Sequence, residues 1–176
     1  MGMDALLCSL SPKRLAMIEE DPEVLSELID ARHDGEIPGL VDLGNTWHAL
    51  DILLGDGKDD VLADALVARN GKKMKAEAAH GKARMIGAGR VAEIAKALAE
   101  LPATLVADRY ASLFGKTVHG GYGQEMVAPD DKQWLRDKIA KNQKTEIEKL
   151  TAAFTAVVAL YKQAAAAKHS MMSVIV

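Results

Sequence analysis

"RMIGAGRVAEIAKALAELPATLVADR" (84–109) is the stretch on which the fold turns. Read from its glycines, it is a strand, Gly87-x-Gly89-x-x-Ala92, a helix, a second strand and then Asp108. That is the plan of a dinucleotide-binding unit. The glycines let a pyrophosphate approach the backbone, the helix N-terminus faces it, and an acid takes the ribose hydroxyls. Such a unit needs further parallel strands, and no second strand–helix–strand pattern occurs in the chain. Read from its apolar spacing, the same stretch is a short strand, "ARMI" (83–86), and an amphipathic helix over 89–101. Val91, Ile94, Ala95 and Leu98 then share one side of that helix.

The flanking sequence agrees with the second reading. "DALLCSL" (4–10) and "SMMSVIV" (170–176) are apolar runs of strand length, and a strand at each end predicts that the two meet in one small sheet. Ser11 is a good N-cap with Pro12 at the first helical position, and Leu15 and Ile18 make an inner face. Asp21-Pro22 ends that helix and starts another, with Val24, Leu25, Leu28 and Ile29 inward. In "TWHALDILLGDG" (46–57), Trp47, Leu50, Leu53 and Leu54 recur at helical spacing, with Asn45 or Thr46 as cap. "DVLADALVA" (60–68) predicts another short helix, and the polar "RNGKKMKAEAAHGK" (69–82) a surface loop. Residues 115–129 hold four glycines and are the least regular part. From Asp130 to about Ala167 the pattern is helical, with a polar middle at 141–146 that predicts a kink or an exposed stretch. Ile147, Leu150, Phe154, Val157 and Tyr161 form its apolar stripe. The expected fold is α+β: one predominantly helical domain over 1–176, with a small sheet that includes the N- and C-terminal strands.

Composition narrows the function classes. Aromatics make up 4% of 176 residues, and alanine is abundant, which favours closely packed helices. A net charge of −3 argues against a general grip on nucleic acid. The basic run of Arg69, Lys72, Lys73, Lys75, Lys82 and Arg84 reads as a solvated loop. Cys8 is the only cysteine and sits among apolar residues, so it is expected to be buried and inert. No secretion signal, myristoylation site or membrane-length apolar run is legible, so the expected location is the cytoplasm, with no membrane partner.

Four motifs suggest chemistry, and each is incomplete. The Gly87–Arg90 segment with Asp108 is the nucleotide-binding candidate already weighed. "FGKT" (114–117) matches the end of a phosphate-binding loop, but Tyr110 stands where its first glycine belongs. "HGGYG" (119–123) resembles the oxyanion loop of esterases without the nucleophile elbow it serves. The five histidines, at 33, 48, 80, 119 and 169, show no metal-ligand spacing, so neither metal nor cofactor is expected. His48 and Asp51, three residues apart on one helix, are a fifth candidate: an acid orienting an imidazole for general-base work. The same pair serves equally as a structural hydrogen bond, and a tryptophan beside it is more often a core anchor than a platform.

The same residues carry a family resemblance. "TWHALDILLGDG" resembles a signature of the YfbM-like bacterial proteins, a family of unknown function, that runs Trp-His-x-Leu-His-x-Leu-Leu-Thr-Gly. Trp47, His48, Leu50, Leu53 and Leu54 match; Asp51 replaces the second histidine and Gly55 the threonine. Leu10-Ser11-Pro12, Asp21-Pro22, "ARMI" with Val91, Ile94 and Leu98, and Phe154, Tyr161 and the Ala164–Ala167 run also resemble that family. The resemblance implies a helix-rich α+β domain and no established activity.

The absence of any complete catalytic set favours a non-catalytic protein-binding domain. An immunity-type inhibitor of a toxin partner is the concrete version, since an acidic face matches a basic partner. The alternative is a small-ligand binder or enzyme with a pocket formed by Trp47, His48, Asp51, His119 and Tyr122. A second alternative is nucleotide binding at Gly87–Arg90, which requires a parallel strand pair around the helix that follows.

Overall fold

The computed structural model describes residues 3–35, 37–55, 58, 60–113, 116–118, 124–125 and 133–176, side chains excepted at 117, 124–125 and 133–142. Strand β1 (Ala5–Leu10) leads into helix α1 (Pro12–Glu20), whose first turn is capped as expected: Ser11 Oγ accepts from the Arg14 amide at 3.2 Å. Helix α2 (Glu23–Ala31) and strand β2 (Leu40–Asp42) follow. Helix α3 (Trp47–Leu54), the hairpin of β3 (Lys72–Ala78) and β4 (Gly81–Ile86), and helix α4 (Ala88–Ala99) come next. Helix α5 (Leu105–Arg109) precedes a two-stranded ribbon, β5 (Thr117–Val118) with β6 (Gln124–Glu125). Helix α6 (Gln133–Ala166) and strand β7 (Ser170–Ile175) complete the chain.

The main sheet has five strands in the order β2-β1-β7-β4-β3, and every pairing is antiparallel. The terminal strands do meet: all six residues of β1 pair with β7, from Ala5 opposite Ile175 to Leu10 opposite Ser170. Helices cover both faces, so β1 is buried along its whole length and carries none of the polar alternation of a half-exposed strand. Leu6, Cys8, Leu10, Met172 and Val174 meet α1 and α2 through Ile18 and Leu25. Ala5, Leu7, Met171 and Ile86 face the larger core built from α3, α4, α5 and α6 around Leu50, Ile94, Leu98, Phe154 and Tyr161. Among the described residues no helix is long and apolar enough to cross a membrane.

Three expectations need correction. Residues 69–82 are not a loop: Met74 and Ala76 alternate with exposed Lys73, Lys75 and Glu77, and this period of two makes β3 an edge strand. Residues 60–68 form a 3-10 turn at Leu62–Asp64 and further turns rather than a helix. Their carbonyls are satisfied from outside: Tyr161 Oη donates to the Ala65 carbonyl at 2.9 Å and Ser173 Oγ to that of Leu66 at 2.7 Å. The polar 141–146 stretch does not break the helix, because α6 runs through it, but it does hold the expected exposed residues at Lys144 and Thr145.

Candidate binding site

Trp47 opens α3, just after a 3-10 turn over Gly44–Thr46. Thr46 does not cap with its side chain; its hydroxyl donates instead to the Leu43 carbonyl at 2.6 Å. Trp47 is half-buried. Its Nε1 donates to the Met3 carbonyl at 2.8 Å, which fixes the indole against the N-terminal strand. The half-buried His48 ring lies 5.1 Å away between centroids, tilted by 49°. Asp51, one turn on, points inward and is only 2% exposed. It forms an ion pair with Arg69, whose side chain remains 42% exposed.

Trp47 and Arg69 flank a groove of about 470 Å³ on the sheet face that carries α3–α6. Trp47, Val67 and Ile175 are apolar parts of its lining. Arg69, Lys82 and Arg84 make it cationic, with His80 at the hairpin tip, and Ser173 of the central strand also lines it. Arg84 is held in place, because its NH1 group donates to the Arg69 carbonyl at 2.7 Å. Among the described residues, no carboxylate lies within ion-pairing distance of Lys82, Arg84 or His80. Lys73 sits directly opposite Arg84 in the hairpin and adds charge of the same sign, while Glu77 sits opposite Lys82. Lys73, Lys82 and Arg84 of the basic run thus share one face of the hairpin, while Lys72 pairs with Glu19 of α1.

Of the expected pocket residues, Trp47 lines this groove and Asp51 supports it through Arg69. His48 stands beside Trp47. His119 and Tyr122 lie outside the described residues, as do Phe114 and Gly115 of "FGKT". Sequence reasoning did not pick out Arg69, Lys82 and Arg84 as a site; the signal was the basic run itself, once placed on a two-residue period.

The nucleotide-binding alternative at Gly87–Arg90 is overturned. Strand β4, which precedes the glycines, is antiparallel to both of its neighbours. The segment after α4 that would have been the second strand is helix α5, with Asp108 in it, bonded to the Thr104 hydroxyl at 2.7 Å. Arg90 is committed to architecture. Its Nε donates to the buried Asp64 at 3.0 Å, and another guanidinium nitrogen donates to Glu93 at 2.9 Å. Asp64 also accepts the Asn70 amide at 2.7 Å, so it ties the 62–70 segment to the start of α4. Hydrogen bonding to Glu93, with support from Asp64, raises the Arg90 pKa against an opposing desolvation effect.

A second cleft, of about 320 Å³, lies at the other end of β1. There Ser9 Oγ and His169 Nδ1 are 2.9 Å apart, and Arg14 lines the same wall. A hydroxyl bonded to an imidazole is part of a nucleophilic triad, but among the described residues no carboxylate pairs with His169 to orient the ring. Neighbouring Cys8 is buried, and desolvation raises its pKa despite the opposing effect of Arg14. Its thiol is held protonated, as suits an inert core residue. Among the described residues no three His, Cys, Asp or Glu side chains gather as metal ligands.

A family model described as a domain of unknown function, DUF1877, matches residues 1–117. No curated protein matches the chain. Among solved structures, the chain is similar to YfbM from Escherichia coli, a protein of unknown function, with a TM-score of 0.60 and 11% identity over 98% of this chain and 99% of that one. At that identity the likeness is one of fold.

Proposed function

This chain belongs to the DUF1877 family, and from its own geometry we propose that it is a non-catalytic binding domain whose recognition surface is the cationic groove beside Trp47. One observation carries the reading. Lys82 and Arg84 line a concave site that also holds apolar side chains, and neither has a carboxylate partner among the described residues. Cations left without counter-ions in a concavity attract an anionic occupant. The volume of about 470 Å³ suits a small molecule or one side chain of a partner protein.

The sign of the groove also bears on the partner. A net charge of −3 suggests a basic protein partner, as for an immunity-type inhibitor. The groove calls for an acidic group instead, so a protein that binds here presents a carboxylate or phosphate to it.

The test is thermal unfolding against a panel of mono- and dicarboxylates and phosphates, with Arg84→Glu as the comparison. A ligand that binds only the native state raises stability by about 2.7 kcal/mol at a hundred times its Kd. The expected result is stabilisation of the natural chain by at least one anion and none of the folded variant. No response to any anion, or an equal response from the variant, would remove the reading.

A further inference from the structure

We propose that the groove beside Trp47 takes a phosphate monoester of a small planar or apolar molecule, with the phosphate on Arg84 and Lys82 and the body against Trp47, Val67 and Ile175. The inference rests on the binding reading above and adds the chemistry of the ligand.

The charge balance favours a doubly charged head group. Arg69 is offset by Asp51, whereas Arg84 and Lys82 have no ion-pair partner among the described residues. Lys73, opposite Arg84, adds positive charge, and Glu77, opposite Lys82, takes some away. A monocarboxylate carries a single negative charge and two acceptor oxygens. A phosphate monoester carries nearly two charges at neutral pH and three acceptor oxygens. The guanidinium of Arg84 is a planar fork already oriented by its bond to the Arg69 carbonyl, the geometry that favours bidentate phosphate contacts. Lys82 supplies a compact charge beside it.

The apolar part of the lining points beyond inorganic phosphate. Trp47 is anchored through Nε1 to the Met3 carbonyl, so its ring is a fixed surface rather than a side chain to be ordered on binding. With Val67 and Ile175 it offers apolar area that a bare ion cannot use.

Isothermal titration of the whole chain decides the matter, with phenyl phosphate, benzoate, inorganic phosphate and a phosphotyrosyl peptide as probes. Fluorescence of Trp47 in a Trp134→Phe variant locates the binding, since the chain has only two tryptophans. We expect phenyl phosphate to bind about tenfold tighter than either benzoate or inorganic phosphate, to quench Trp47, and to lose about tenfold in Arg84→Gln. Benzoate binding as tightly as phenyl phosphate overturns the phosphate assignment and leaves the anion-binding reading standing. Equal affinity for inorganic phosphate overturns the role of the apolar lining. A peptide about tenfold tighter than phenyl phosphate assigns the phosphate to a protein and overturns the small-molecule ligand. If no probe binds, this inference falls, and the binding reading falls with it only when the dicarboxylates of the unfolding panel fail as well.

Discussion

The Asp51–Arg69 pair is asymmetric, and the asymmetry sets what its loss costs. Asp51 is 2% exposed, while the Arg69 side chain is 42% exposed. Removing the arginine takes one counter-ion from a buried carboxylate. Removing the carboxylate charge leaves a cation that water still reaches. Breaking a fully buried pair from one side costs about 3–5 kcal/mol, and an exposed pair contributes well under about 1 kcal/mol. For a pair that is half in water, Arg69→Ala is expected to cost about 2 kcal/mol and Asp51→Asn about 1 kcal/mol. The double variant should lose clearly less than the two together, because each change removes the reason for the other. Urea unfolding of the four chains measures this, and strictly additive losses would show that the pair is not coupled. The carboxylate charge meets Arg69, so Asp51 and the cationic lining of the groove belong to one local solution.

At the scale of elements, the segment between α3 and the hairpin is the least regular part of the core. Its carbonyls at Ala65 and Leu66 bond to Tyr161 of α6 and Ser173 of β7, and Asp64 fastens its end to Asn70 and Arg90. Gly71 then turns into β3 where a Cβ would lie 2.9 Å from the carbonyl oxygens of both Ala68 and Met85, so no larger residue fits without backbone movement. Tyr161→Phe and Ser173→Ala each strand a buried carbonyl and should cost about 1–2 kcal/mol. Hydrogen exchange should speed up at 62–70 while α1 is unchanged; a uniform change across the chain would show that the segment has no local stability of its own.

This segment also shows where the sequence stops being legible. The strands β1 and β7 and the helices α1, α3, α4 and α6 follow from apolar period and caps. Leu62 to Ala68 carries the apolar content of a helix, but side chains from more than 90 residues away hold its carbonyls in turns. Such partners leave no local trace. Strand β3 was hidden for a different reason: as an edge strand it has only Met74, Ala76 and the half-buried Ala78 against the core, and its lysines look like loop composition. The site divides in the same way. Trp47 stands out as a rare residue, whereas the roles of Arg69, Lys82 and Arg84 depend on a hairpin register and a buried carboxylate partner.

At the scale of the whole molecule, the order of the sheet decides how the chain folds. Strand β7 is the last element, yet it lies at the centre, paired with β1 on one side and β4 on the other. Its side chains serve both cores: Met171 packs with the α3–α6 layer, and Met172 and Val174 pack with α1 and α2. Without it the sheet is two pairs, β2-β1 and β4-β3, each with a raw hydrogen-bonding edge and an uncovered apolar face. Neither pair has enough strands to be stable alone. Removal of residues 169–176 is therefore expected to abolish the native fold rather than trim it, giving an aggregation-prone chain with no cooperative transition. The intact chain should unfold as one unit, with far-UV circular dichroism and Trp47 fluorescence in the Trp134→Phe variant tracing the same curve. Adding a peptide of residues 169–176 to the shortened chain should restore part of that transition, because the missing strand slots between two edges that already match its register. A shortened chain that still unfolds cooperatively at an unchanged midpoint would mean that the helical layers hold together without the central strand, and would refute the view that the two ends of the sequence close the fold.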